Sequence, residues 1–311
     1  MRYKYIFGPV PSRRLGVSLG IDLVMSKTCN LNCVYCECGK TDKLYNERKE
    51  YVNAEEVLNE VKDFLDKKPY LDYITFSGSG EPTLNSKLGY LIDEIKKITD
   101  TKIAILTNGT LFYNDKLIEE VKNADVIVPS LDAVSEEIFY KINRPNKELK
   151  IEKIINGLVN LRKNYKGKIN LEIFIIDKLN DTKEELDKFK DVILKINPDK
   201  VQLNSLDRPP VESWVKPVEI DKLNEIIKYW GLDNVEVIKK YKVRRAIKSY
   251  SENLESEILN MLAKRPCTIK DLEFITCLKA VEINKYLDVL EKEKKIESYI
   301  GERGIFIRLK S

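Results

Sequence analysis

The 311 residues are 43% hydrophobic, enough to build a large core, which argues against a disordered chain. The 54 Lys and Arg against 50 Asp and Glu leave a formal charge of +4, too even for bulk electrostatics to mark a nucleic-acid binder. Histidine is absent, which removes the commonest general base and nitrogen ligand, and no apolar run approaches the roughly 20 residues of a membrane helix, so the chain reads as cytoplasmic with no membrane partner.

The segment 7–16, Phe-Gly-Pro-Val-Pro-Ser-Arg-Arg-Leu-Gly, is rich in turn formers and carries adjacent cations at Arg13 and Arg14. From residue 16 to 207, short β-branched runs alternate with amphipathic runs at helical spacing, the pattern of βα units about a parallel sheet. Strands are predicted at 17–24, 73–76, 103–106, 126–130, 170–176 and 200–203, with helices at 54–65, 88–98, 116–123, 153–165 and 183–196. A full eight-stranded barrel takes about 250 residues, so an α/β partial (β/α)6 barrel is expected over residues 1–215. Residues 216–250 read as a connecting region that includes a basic run at 239–245. Residues 251–311 read as helices at 254–264, 269–276 and 280–294 and a hairpin through 299–309, an order that resembles a winged helix.

The main chemical signal is the run from 29 to 36, Cys-Asn-Leu-Asn-Cys-Val-Tyr-Cys, which follows the first predicted strand. Three thiolates on one loop, Cys29, Cys33 and Cys36, suit a 4Fe-4S cubane, in which they bind three irons and leave the fourth open to a ligand. Structural zinc is the competing reading. Against it, the spacing is not a pair of CxxC knuckles, and no histidine can complete a Cys3His set.

The triple-cysteine pattern after a first strand resembles the radical S-adenosylmethionine (SAM) superfamily. That resemblance implies a 4Fe-4S cluster whose open iron chelates SAM, with electrons from an external donor. Reductive cleavage of SAM would give methionine and a 5′-deoxyadenosyl radical that abstracts hydrogen from a substrate. It also implies SAM contacts from Tyr35 and from Gly78, Ser79, Gly80, Glu81 and Pro82, a run similar to the family's Gly-Gly-Glu-Pro motif with Ser79 in place of the first glycine. Small residues there let the backbone approach a ligand, and Glu81 suits an ammonium group. Thr107 and Asn108 after the third strand, Ser130 and Asp132 after the fourth, and Gln202 and Asn204 on the sixth are expected at the same site. In isolation these are ordinary turn residues and satisfied polar groups, but ligand sites in such folds gather at the carboxyl ends of the strands.

The segments 7–16 and 207–210 further resemble an archaeal and bacterial group of iron-sulfur oxidoreductases similar to wyosine-type tRNA-modifying enzymes, over roughly the first 215 residues. The resemblance implies a macromolecular substrate, with RNA first and tRNA base modification as the reaction. No cysteine precedes Cys29, whereas wyosine synthases carry further N-terminal cysteines. Arg13, Arg14, Arg144 and Arg208 are expected to meet an anionic substrate. The alternatives are radical modification or activation of a protein docked by the C-terminal domain, and, from another class, an iron-sulfur redox sensor that binds DNA through a winged helix.

Overall fold

The computed structural model describes residues 3–24, 27–36, 38–41, 43–206, 210–238, 254–276, 283, 287, 290–291, 293–301 and 304–310. Its main sheet has eight strands in chain order: β1 (Ile6–Ser12), β2 (Gly16–Ile21), β3 (Tyr73–Phe76), β4 (Lys102–Thr107), β5 (Val126–Pro129), β6 (Lys168–Phe174), β7 (Lys200–Asn204) and β8 (Val235–Val237). From β2 to β8 each strand is parallel to the next, and β1 is antiparallel to β2. The connections carry α1 (Ala54–Leu65), α2 (Leu88–Ile98), α3 (Asp115–Glu120), α4 (Glu136–Asn143), α5 (Ile151–Asn164), α6 (Lys183–Ile196) and α7 (Ile220–Trp230).

Strand alternation sorts the residues onto two faces. Leu19 and Ile21, Ile74 and Phe76, Ile103 and Ile105, Leu171 and Ile173, and Val201 and Leu203 belong to one large core together with the apolar stripes of the helices. Their neighbours Ser18, Thr75, Glu172, Gln202 and Asn204 occupy the other face, the interior of the partial barrel. There Ser18 and Thr75 share a 2.5 Å hydrogen bond and Asn204 donates to Glu172 at 2.7 Å. Helix starts follow ordinary capping: the Asn53 side chain accepts from Glu55 and Glu56 N–H before α1, and Thr182 accepts from Glu185 N–H before α6.

The sheet has one strand more than expected at each end. β1 carries Pro9 and Pro11, which break a sequence-level strand pattern but are tolerated on an edge strand. The expected connecting region begins inside the barrel: α7 buries Leu223, Ile226 and Trp230, and β8 pairs with β7. The boundary at 215 is therefore corrected to 238, because the three residues Val-Glu-Val are too short to show a period. The basic run at 239–245 and Arg208 lie outside the described residues.

The C-terminal unit comprises α8 (Leu254–Lys264), β9 (Cys267–Thr268), α9 (Ile269–Thr276), β10 (Ile296–Gly301) and β11 (Gly304–Leu309), with sheet order β10-β11-β9. Most of the helix expected at 280–294 falls outside the described residues. Ile258, Met261, Leu262, Cys267, Leu272 and Ile307 form a separate small core, and Phe7 of β1 packs against it.

Candidate active site

A cleft of about 330 Å³ opens at the carboxyl end of the barrel strands. Cys36, Cys38, Tyr35 and Gly78 line one part of it, Arg13, Arg14, Glu172 and Asn204 another, and Lys264 and Arg265 of the C-terminal unit a third. Its size falls within the usual range for small-molecule sites. Arg14 is ion-paired with Glu172 inside the barrel.

The cluster loop packs against both Asn-bearing turns of the barrel. Each of its three cysteine sulfurs receives a side-chain N–H. Asn108 Nδ2 donates to Cys29 Sγ at 3.6 Å, Asn143 Nδ2 to Cys33 Sγ at 3.3 Å, and Lys27 Nζ to Cys36 Sγ at 3.0 Å. Burial, reinforced by the Glu81 charge, pushes the Cys29 thiol up to about 12, and burial beside Asp132 raises Cys33 as well. Cys36 is lowered to about 5, first by its hydrogen bond with Cys38 and then by the Lys27 ammonium. Burial opposes the Lys27 ammonium, but the charge and hydrogen bond of Cys36 together with the nearby Cys38 and Cys29 outweigh it and raise its pKa.

The donor set fits a 4Fe-4S cluster. Three sulfurs on one loop already face hydrogen-bond donors, and positive charge or metal would bring the two buried thiols to the thiolate form. Among the described residues no three His, Cys, Asp or Glu side chains close around a single ion.

The turn after β3 is joined to the cluster loop by its backbone: Lys27 N–H donates to Ser79 O and Glu81 N–H to Thr28 O, both at 3.0 Å. Gly80 permits this approach, because a Cβ there would lie 2.1 Å from Thr28 O. Asp22, just past β2 and 2% exposed, accepts from Ser79 N at 3.1 Å and from Ser79 Oγ at 2.6 Å. Gly78 has φ +144°, and a Cβ at this position would press on the Asp22 carboxyl.

Several expected ligand contacts have structural partners instead. The Glu81 carboxylate is buried and accepts from Thr83 N and Oγ1, Thr107 Oγ1 and Asn108 N at 2.6–2.9 Å. It braces two turns, which corrects the expectation of a carboxylate presented to an ammonium group. Burial raises its pKa against those hydrogen bonds. Asp132 likewise accepts from Tyr35 Oη at 2.5 Å, Asn143 Nδ2 at 2.9 Å and Phe174 N at 3.0 Å. Burial raises the pKa of Asp132, and that of Tyr35 is pushed up by burial and then by Asp132. Tyr35 stacks on Phe174 with ring centres 4.0 Å apart. Ser130 and Asp132 line a separate small cavity beneath the cluster loop, not the cleft. Gln202 donates to Glu236 at 2.8 Å within the barrel. Pro82, Thr107 and Asn108 lie behind the cleft wall, whereas Gly78, Tyr35 and Asn204 line it. Arg144 is held by Glu212 at 2.5 Å and does not line the cleft, so its expected role toward substrate is corrected to pinning the 212 segment.

Asp22, Lys27, Asn143, Glu172, Lys264 and Arg265 were not legible as site residues. Apart from Lys27, which stands two residues before the cysteine run, their partners lie far away in sequence, and none falls in a recognisable motif. Acidic residues inside predicted strands, as Asp22 in 17–24 and Glu172 in 170–176, are the signal the sequence offers.

With this geometry established, comparison with known proteins gives the class. The model of the Radical SAM superfamily matches residues 23–191. The chain belongs to that superfamily, and it is an enzyme that uses a 4Fe-4S cluster and SAM. It is 35% identical over 266 residues to the UPF0026 protein of Methanocaldococcus jannaschii, covering 84% of this chain and 82% of that one. It is also 38% identical over 270 residues to a protein named GTPase Obg from Brachyspira hyodysenteriae, covering 86% of this chain but only 40% of that relative's length. In fold it is similar to a radical SAM methyltransferase from Sphaerobacter thermophilus, with TM-score 0.56 and 17% identity over 71% of this chain and 65% of that one.

Proposed function

We propose that Cys29, Cys33 and Cys36 ligate the cluster and that the 78–80 backbone, together with Tyr35 and Asn204, holds SAM. Hydrogen is then abstracted from an anionic substrate, for which an RNA nucleotide, tRNA foremost, is the first reading. When bound, the cluster and SAM supply a 5′-deoxyadenosyl radical. The chain's own residues do the positioning. Asn108, Asn143 and Lys27 direct N–H groups at the three sulfurs, and Glu81 and Asp132 fix the turns that carry those donors. The barrel interior and Lys264 and Arg265 of the C-terminal unit form the walls of the cleft.

The observation that carries this reading is the convergence on one cleft of Cys36, Gly78 and the guanidinium groups of Arg13 and Arg14, the latter paired with Glu172. Guanidinium groups on the cleft wall favour a phosphate-bearing substrate over a neutral one. The C-terminal unit, with the helices and hairpin of the winged-helix expectation, is the part read as facing the macromolecule. The test is anaerobic reconstitution with iron, sulfide, SAM and dithionite. Wild type should form 5′-deoxyadenosine and Cys33→Ala should form none, with RNA raising the yield above the substrate-free level. Stimulation by a protein fraction after nuclease treatment would transfer the assignment to a protein substrate. No product with an intact cluster would refute the residue assignments.

A further inference from the structure

Lys264 ends α8 in the C-terminal unit, yet its ammonium reaches across to the barrel and bonds Asp22 Oδ2 at 2.9 Å. The pair is largely withdrawn from water, with the Lys264 side chain 22% and the Asp22 side chain 2% exposed. Asp22 Oδ2 is the same oxygen that accepts from Ser79 N and Ser79 Oγ. One carboxylate oxygen therefore connects the C-terminal unit to the 77–80 turn. That turn is joined to the cluster loop through Lys27 N–H to Ser79 O, and Cys38 Sγ–H donates to Gly78 O at 3.4 Å.

A second set of contacts repeats the connection in apolar form. Phe7 of β1 packs on the C-terminal core, and its ring occupies the space over Gly20 on the barrel's inner face, where a Cβ would come within 2.2 Å of it. The C-terminal unit is thus fastened at the edge strand and at the turn proposed to hold SAM, and it contributes Lys264 and Arg265 to the cleft wall.

We infer that Lys264 is a positioning residue for SAM, acting through Asp22 on the 78–80 turn, and that the C-terminal unit is a structural part of the cofactor site. This rests on the reading of that turn as the SAM loop. A buried carboxylate deprived of its cation must protonate, admit water or shift, and each response disturbs the Ser79 hydrogen bonds. Linkage requires the converse too, so SAM on the turn tightens the docking of α8.

The test uses the full-length protein with its cluster reconstituted, without reductant, and compares wild type with Lys264→Ala and Lys264→Arg. SAM affinity is measured by equilibrium dialysis, and exchange of the Ser79 amide by mass spectrometry. Lys264→Ala should weaken SAM by about tenfold or more and speed Ser79 exchange, with cluster absorbance unchanged, and Lys264→Arg should restore both. Equal SAM affinity and equal Ser79 exchange in wild type and Lys264→Ala would overturn the proposal, as would an arginine variant no better than alanine. If wild type itself binds no SAM, the reading of the turn falls, while the Ser79 exchange rate still decides whether Lys264 acts through Asp22.

Discussion

At the residue scale, the three cysteines are set apart by what donates to them. Asn143 sits at the end of α4, 3% exposed, and serves Cys33 and Asp132 with the same amide group. Hydrogen bonds to cluster sulfurs favour the more negative, reduced state and so raise the potential. Asn143→Ala should therefore lower the cluster's midpoint by an amount on the order of 40 mV, the one-electron equivalent of a hydrogen bond of ~1 kcal/mol. An EPR-monitored redox titration measures this, and an unchanged midpoint with the cluster intact would remove Asn143 from that role. The cysteines were plain in the sequence because their spacing is local. Their donors were not, since 110 positions separate Asn143 from Cys33 and only the packing of α4 under the cluster loop brings them together. Glu81 illustrates the opposite case: the motif was visible, but its carboxylate turned out to face inward, a direction that spacing alone does not encode.

At the element scale, the sequence exposed strands and helices in proportion to their length and regularity. β2 to β7 carry β-branched runs between helical periods and were all legible. β1 was hidden by its prolines, and β8 by its three-residue length. The helix before β8 shows why the barrel needs that last strand. Trp230 of α7 is fully buried, stacks obliquely near Phe189 at 6.1 Å and donates from Nε1 to Leu186 O at 2.9 Å. Trp230→Ala should destabilise the barrel by about 3–5 kcal/mol, read as a lowered denaturant midpoint with an unchanged slope. A loss below ~1 kcal/mol would place α7 outside the barrel's cooperative unit.

At the scale of the whole molecule, the large core of the barrel and the small core of the C-terminal unit are separate clusters. All three proposed cluster ligands and their N–H donors belong to the barrel part of the chain, before residue 238. A chain ended after residue 238 should accordingly reconstitute its cluster to the wild-type iron content and absorbance while retaining SAM more weakly. Failure to take up iron would show that the barrel does not form its cluster loop alone. Among the described residues no helix is long and apolar enough to cross a membrane. The way the C-terminal elements meet the barrel was not legible in the sequence, because it depends on single side chains such as Lys264 and Phe7.

The contact of α8 with β1 and Asp22 brings late residues onto the earliest strands. A chain emerging from the ribosome presents its N-terminal part first. The barrel and its cysteines are therefore available to iron-sulfur assembly before residue 264 exists, and the cofactor turn is pinned only after it does.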